Sequence, residues 1–382
     1  MNWLNATAPA GNARDYQIDR LIPRNNAFDL RIRSLNEGGQ WRAMAFQIVP
    51  ATAVIDASFS LGSWELVYCD PLRDSHLHIT ESLDRTWHRR LGRLLGSEVV
   101  ESSLFSYTPF RRAIIRYCCR DGTDYFGKLY RPGRSEQAIE TANHLRKSGL
   151  KEYLVEPLAR IAELEMVIWR RAGGSLLARA FSGVAYGDGL RLAAAALRQV
   201  HDADVPNIVD GEATGHRTLG DELRVARAYV DRVSTLMGTQ PGELAECSTK
   251  LEHCILGFDK FEDKNLHGDF HDNQILLDES KVVLLDLDQC GRGDPAIDVG
   301  NLLAHIDFRI AFEEADDDPK PYAAAFLDGY GEVGDASFHR RVAFGHAVSL
   351  LRNCCLYVLV PERYRSLTRA CRRTLEGLSE PR

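Results

Sequence analysis

The sequence predicts an α+β protein, with strands in its first part, helices in its second and one β-hairpin set within the helical half. Three observations carry this. Short apolar–polar alternations recur between residues 28 and 70, at 113–117, at 125–130 and at 165–169. From Leu190 onward the apolar spacing turns helical, led by Ala193-Ala194-Ala195-Ala196-Leu197. Among those helices, Asp278-Glu279-Ser280-Lys281 reads as a turn after Ile275-Leu276, and Val282-Val283-Leu284-Leu285 returns the chain as a second strand.

Residues 1–27 are polar on the whole and predict a mobile segment. Phe28 to Ile32, Trp41 to Ile48 and Trp64 to Tyr68 predict strands, and Asp70-Pro71 a boundary. Leu83 to Leu95 predicts a helix. Arg120-Asp121-Gly122-Thr123-Asp124 joins two strands as a Gly-containing turn. Ser135 is a candidate N-cap for a helix over 136–147. Ala172-Gly173-Gly174-Ser175 reads as a linker. Helical patterns then cover 217–237, 242–258, 296–312, 320–330 and 336–376. The acidic run Glu313 to Asp318 reads as a solvated loop.

With 382 residues the chain can bury a large core and predicts two or three domains. Hydrophobic residues at 45% and charged residues at 26% fit an ordinary soluble composition. A net charge of −7 argues against a nucleic-acid partner. The apolar stretch Ala43 to Ala57 is broken by Gln47, Pro50 and Asp56, too short to span a membrane. Nine cysteines without a CxxC pattern, and no apolar signal core in the first 17 residues, predict reduced thiols and a cytoplasmic location.

The hairpin brings chemistry together. It folds the polar loop His267-Gly268-Asp269-Phe270-His271-Asp272-Asn273-Gln274 toward Leu285-Asp286-Leu287-Asp288. Two carboxylates and an amide at one strand end form an oxygen-rich site suited to a hard cation such as Mg²⁺. Pairing across a four-residue turn sets Asn273 opposite Asp286 and Gln274 opposite Leu285, whereas spacing from Asp269 favours Gln274 as the amide.

These residues resemble a family. His267-Gly268-Asp269, with Gln274 five residues beyond the Asp, is similar to the catalytic loop of the aminoglycoside phosphotransferase and choline kinase group, the small-molecule branch of the protein-kinase-like fold. Leu285-Asp286-Leu287-Asp288 followed by Gly293-Asp294-Pro295-Ala296-Ile297-Asp298 resembles that group's metal-binding segment and the turn after it. The resemblance is specific over 265–305, weaker over 105–265 and absent over 1–80.

It implies a two-lobed protein-kinase-like fold with an extra N-terminal β-containing module. The expected divisions are a module at 1–79, an N-lobe and hinge at 80–174, and a mostly helical C-lobe at 175–382. ATP would bind between the lobes. Asp269 would take the acceptor's proton, and Asp286 with Gln274 would hold Mg²⁺. Gln274 stands where the group usually has Asn; relatives similar to maltokinases also carry Gln there. Lys128 on a strand would bind the nucleotide's phosphates and pair with Glu140 on the following helix, Glu136 being the alternative. Phe105 to Phe110, with no glycine-rich pattern, would cover the nucleotide, and Met166 to Ala172 would form the hinge.

Other residues read as support. His267 braces its loop. His271 is either a solvated loop histidine or a substrate or phosphate contact, and Asp288 either aids the metal residues or shapes a turn. Asp294 and Asp298 cap the next helix or brace the catalytic loop. Arg111-Arg112 and Arg170-Arg171 read as surface arginines, with phosphate contact the alternative. His305, His339 and His346 read as structural histidines. The expected activity is ATP-dependent phosphorylation of a small-molecule hydroxyl, on a sugar, polyol or amino-sugar compound. The alternatives are a Ser/Thr kinase acting on a peptide, for which residues 1–79 could offer a strand edge, and a nucleotide-binding scaffold without activity.

Overall fold

The alternations between residues 28 and 70 become a five-stranded antiparallel sheet, ordered β1-β2-β3-β5-β4. Its strands are β1 (Tyr16–Pro23), β2 (Phe28–Leu35), β3 (Trp41–Pro50), β4 (Ser58–Leu61) and β5 (Trp64–Tyr68). The computed structural model describes residues 16–24, 27–35, 41–50, 58–61, 64–204, 216–238, 242–255, 258, 261–279, 281–313, 315, 317–331 and 336–379. Strand β1 corrects the expectation for residues 1–27: Leu21 is fully buried opposite Leu30, so apolar burial and a ladder fix 16–23. Residues 1–15 lie outside the described residues. One face of this sheet, Leu21, Phe28, Leu30, Ile32, Phe46 and Ile48, packs with Leu236, Val358 and Leu359 from far along the chain.

The single helix expected over 83–95 is two, α1 (Ile79–Leu83) and α2 (Arg85–Leu95). Asp84 divides them in extended conformation, its carboxylate accepting from Thr86 N at 2.7 Å. A second antiparallel sheet follows, ordered β6-β7-β8-β10-β9. It comprises β6 (Val99–Thr108), β7 (Arg112–Cys119), β8 (Asp124–Tyr130), β9 (Pro157–Ile161) and β10 (Met166–Arg170), with α3 (Arg134–Leu145) between β8 and β9 in sequence. Central strand β8 is buried on both faces, and Gly127 leaves room there for Tyr117 and Met166, which a Cβ would meet at 2.8 and 2.6 Å. Gly133, at φ +80°, holds the N-cap position of α3 in place of Ser135. Ser135 is buried inside the helix, where its hydroxyl donates to Glu165 Oε2 at 2.6 Å.

The Gly173-Gly174 linker leads into β11 (Ser175–Leu176). Gly174 has φ +88°, and a Cβ there would lie 2.5 Å from the Leu277 carbonyl. The helical half is α4 (Val184–Asp202), α5 (Leu219–Met237), α6 (Gly242–Cys254), α7 (Ala296–Phe312), α8 (Lys320–Tyr330), α9 (Ala336–Leu356) and α10 (Pro361–Ser379). The expected single helix over 336–376 breaks before Pro361, which suits a helix start and not an interior. Set among these helices are β12 (Lys264–Leu266), β13 (Ile275–Asp278), β14 (Lys281–Leu284) and β15 (Gly291–Gly293).

The predicted hairpin is β13–β14, in the predicted register: Asp278 pairs Lys281 and Ile275 pairs Leu284. It is held on both edges. β11 pairs with β13, and Leu284 N donates to Tyr153 O at 2.7 Å. The exit from the second sheet is thereby tied to the hairpin that carries Asp286.

Helices α7 and α9 cross at glycines. A Cβ on Gly300 would lie 2.5 Å from His346 N, and one on Gly345 would lie 2.9 Å from Ala296 O. Gly300→Ala is therefore expected to destabilise the fold by about 1–3 kcal/mol, read as a lowered urea midpoint; an unchanged midpoint would show that this crossing can relax.

Candidate active site

Helix α7 presents four polar residues at helical spacing to the loop 267–272. Asp298 accepts from His267 N at 2.7 Å and Gly268 N at 2.9 Å. One turn on, Asn301 Nδ2 donates to Phe270 O at 3.0 Å. His305 stacks on His271 with ring centroids 4.3 Å apart. Arg309 grips Asp272 with Nε at 2.9 Å and Nη2 at 3.2 Å. The period of the helix matches the advance of the loop, so each turn fixes the next loop residue.

Asp269 lies inside this frame and is left out of it. Gly268 turns the chain at φ +83°, where a Cβ would collide with Gln289 O and Arg217 Nη1. Phe270 on its other side is fully buried. Asp269 between them keeps 29% side-chain exposure. His267 Nε2 donates to Leu285 O at 2.9 Å, which ties the loop to the residue before Asp286.

Asp286 sits in left-handed backbone, φ +60°, just beyond β14. Its carboxylate receives Lys128 Nζ at 2.7 Å, Arg112 Nη1 at 2.6 Å and Gln274 Nε2 at 3.3 Å. Burial alone would raise its pKa, but Lys128 and Arg112 outweigh it and hold the carboxyl far below the usual range. Lys128 Nζ also meets Asp288 Oδ2 at 2.6 Å, and Tyr130 OH donates to Asp288 Oδ1 at 3.2 Å. Lys128 reaches the site from the sheet because Ile114 pairs Lys128 and Arg112 pairs Tyr130. Residues 112, 114, 128 and 130 thus share one face of the β7–β8 ladder.

The sequence-predicted residues divide accordingly. Lys128, Gln274, Asp286 and Asp288 converge, with Asp269 on the adjoining loop. Gln274 and not Asn273 reaches Asp286, although the strand register sets Asn273 opposite it. A 3₁₀ turn over Asp272–Gln274 and the left-handed Asp286 carry the backbone off the ladder, leaving Asn273 exposed. Glu140 corrects an expectation: it is exposed on α3, whose buried positions are Ser135, Thr141, Ala142 and Leu145. Glu136 is also exposed, 4.0 Å from Arg160. Lys128 takes Asp286 and Asp288 as partners instead. Arg112 is a site residue that the surface reading missed; extending the hairpin register from the Gly122 turn to Tyr130 would have found it. Phe105 to Phe110 borders the cleft without glycines. There Asp74 holds the turn, accepting from Tyr107 OH at 2.8 Å and Phe110 N at 2.7 Å.

The donor set suits Mg²⁺ in kind. Asp286 and Asp288 supply carboxylate oxygens, and the Gln274 amide, turned over, presents Oε1 where Nε2 now points. His271, Asp272 and His305 also cluster. The imidazoles lie 12° from parallel, so their lone pairs run in separate planes, and both Asp272 oxygens are taken by Arg309. This cluster acts as a brace.

Arg309→Met would leave Asp272 charged and buried. It is expected to cost about 3–5 kcal/mol by denaturant titration, with much of the loss recovered in Arg309→Met combined with Asp272→Asn. Equal losses in both variants would contradict the pairing.

A model of the phosphotransferase enzyme family matches residues 116–342, more than half of the chain. No curated protein gives a match. Among solved structures, a spectinomycin phosphotransferase in complex with ADP and spectinomycin is 14% identical, with 77% of this chain and 94% of that chain covered and a TM-score of 0.52. The ADP-bound aminoglycoside phosphotransferase APH(2'')-Ib is 15% identical over 78% of this chain and 99% of its own, at a TM-score of 0.53. The APH(2'')-IIa ternary complex with streptomycin and ATP is 15% identical over 78% and 98%, also at 0.53. At such identities the likeness speaks for the kinase-like two-lobed fold, to which β1–β5 are an addition. With the family match spanning both the Lys128 strand and the Asp269–Asp286 segment, the chain belongs to the phosphotransferase enzyme family.

Proposed function

We propose that this phosphotransferase moves the γ-phosphoryl group of ATP, with Mg²⁺, to a hydroxyl of a small molecule such as a sugar, polyol or amino-sugar compound. The observation that carries the reading is the meeting of Lys128, Arg112 and Gln274 on Asp286, beside a loop that leaves Asp269 half-buried and open to an acceptor. The compounds held in the solved relatives, spectinomycin beside ADP and streptomycin beside ATP, agree with a small hydroxylated acceptor.

In this reading Asp269 accepts a hydrogen bond from the acceptor hydroxyl. The hydroxyl oxygen forms the new bond to the γ-phosphorus, the bond to the β,γ-bridging oxygen breaks, ADP departs and the proton passes to Asp269. Asp286 and Gln274 would hold Mg²⁺, which when bound neutralises phosphate charge. Lys128 and Arg112, now spent on Asp286 and Asp288, are placed to turn to the phosphates once the metal takes over those carboxylates. Asp298, Asn301 and Arg309 keep the loop in register. The apolar face of the N-terminal sheet is taken up by Leu236, Val358 and Leu359, which makes the sheet a packed wall of the molecule.

Asp269→Asn keeps the shape and removes the base. Transfer is expected to fall on the order of 10²–10⁴-fold while ATP affinity, by calorimetry, stays close to wild type. Lys128→Met is expected to weaken ATP binding. Undiminished turnover in Asp269→Asn with every accepted hydroxyl compound would contradict the assignment.

A further inference from the structure

The N-terminal sheet brings positive charge to the cleft. Arg31 alternates with the buried Leu30 and Ile32, so it points from the opposite face, where its Nη2 donates to Thr108 Oγ1 at 2.7 Å at the end of β6. Strand β1 pairs Arg20 directly with Arg31, so the two guanidinium groups share that face. Like charges set opposite one another destabilise a sheet. Burial, with Arg20 and Arg112 nearby, lowers the Arg31 pKa to about 10. Arg20 Nε is buried and has no hydrogen-bond partner among the described residues.

The positive charge continues toward the catalytic loop. Arg20, Arg309, Arg352 and His271 all act on His305 in the same sense, and burial keeps His305 neutral. His305 Nδ1 is also buried without a partner among the described residues. His271, stacked on His305, lies 4.0 Å from Asp269, Nε2 to Oδ2. The Arg20–Arg31 pair thus belongs with Arg112 on Asp286 at one end and with the neutral His305–His271 stack beside Asp269 at the other.

Most nearby acids are committed elsewhere. Asp29 accepts from Arg24 and Gln47, and Glu222 faces Arg217 and Arg352. In the acidic run, Glu313 meets Arg309, Asp317 accepts from Ser182 and Asp318 from Lys320 N. Asp19 acts on Arg31 more weakly than Arg20 and Arg112 do.

Resting on the phosphoryl-transfer reading above, we propose that the β1–β2 ribbon forms the outer wall of the acceptor pocket, and that the acceptor carries a carboxylate or phosphate group, bound by Arg20 and Arg31, besides its reacting hydroxyl. Guanidinium groups match such oxygens in geometry and charge. An acceptor bearing several ammonium groups would meet repulsion from the same wall.

Two measurements on the full chain test this, both with fold checked by circular dichroism. In the first, citrate or inorganic phosphate is added to protein saturated with MgADP, and thermal unfolding is followed. The wild type is expected to gain stability, Arg20→Gln and Arg31→Gln to lose that gain, and Arg20→Lys to keep part of it. No gain in the wild type, or equal gains in the Gln variants, overturns the proposal. In the second, MgATP is offered with gluconate, glucose 6-phosphate, glucose or glucosamine, and products are weighed by mass spectrometry. The charged acids are expected to be preferred, with Arg20→Gln raising their KM about tenfold and the ATP KM changing less than about twofold. Turnover confined to glucose or glucosamine, or a loss confined to the ATP KM, overturns the proposal. An anion-dependent gain without transfer to any acceptor would count against the phosphoryl-transfer reading while supporting the cationic wall.

Discussion

The site depends on one helix lying along one loop. Asp298, Asn301, His305 and Arg309 recur at the period of α7, and each meets the next part of the segment 267–272. A loop of this length offers many backbone groups that must be satisfied once water is excluded. The helix satisfies them from a single rigid body, so loop geometry follows from helix packing. Gly300 and Gly345 belong to the same device: without side chains there, α9 lies close enough to hold α7 from behind. Asp269 is thereby positioned by its fixed neighbours while its own carboxylate keeps partial exposure.

The second constraint is electrostatic. Asp286 is a largely buried carboxylate, costly alone, and two cations from the β7–β8 ladder stabilise it. Those cations also link the two lobes, since Lys128 and Arg112 belong to the first sheet-bearing lobe and Asp286 to the helical one. The same groups that hold the cleft together are those a metal–nucleotide complex needs, so occupancy would exchange partners and leave no charge uncompensated. The left-handed backbone at Asp286 costs about 1 kcal/mol. It turns the side chain off the hairpin ladder and toward Lys128.

Much of this was legible in the sequence where local pattern and tertiary structure agree. The 278–281 turn fixed the hairpin pairing, and Asp298 was readable as a brace from its place after Gly293-Asp294-Pro295. Gln274 was readable only by counting from Asp269, because the ladder argument stops where the backbone leaves the ladder. Glu140 failed because a lysine on a strand and a glutamate on the next helix do not specify which way the helix faces; α3 turns Glu140 outward. Strand β1 was hidden by its charged residues, Asp19 and Arg20, which interrupt the apolar alternation that a half-buried strand would show. His305 was read singly and Arg309 not at all, and their shared role shows only when the helix is laid against the loop.

The exchange of partners at Asp286 is the central claim, and a crystal structure of the chain with Mg²⁺ and a non-hydrolysable ATP analogue tests it directly. The expected result is Mg²⁺ on Asp286 and Gln274 Oε1, with Lys128 and Arg112 moved to phosphate oxygens. Nucleotide bound between the lobes while both cations still hold Asp286, or nucleotide bound elsewhere, would contradict it.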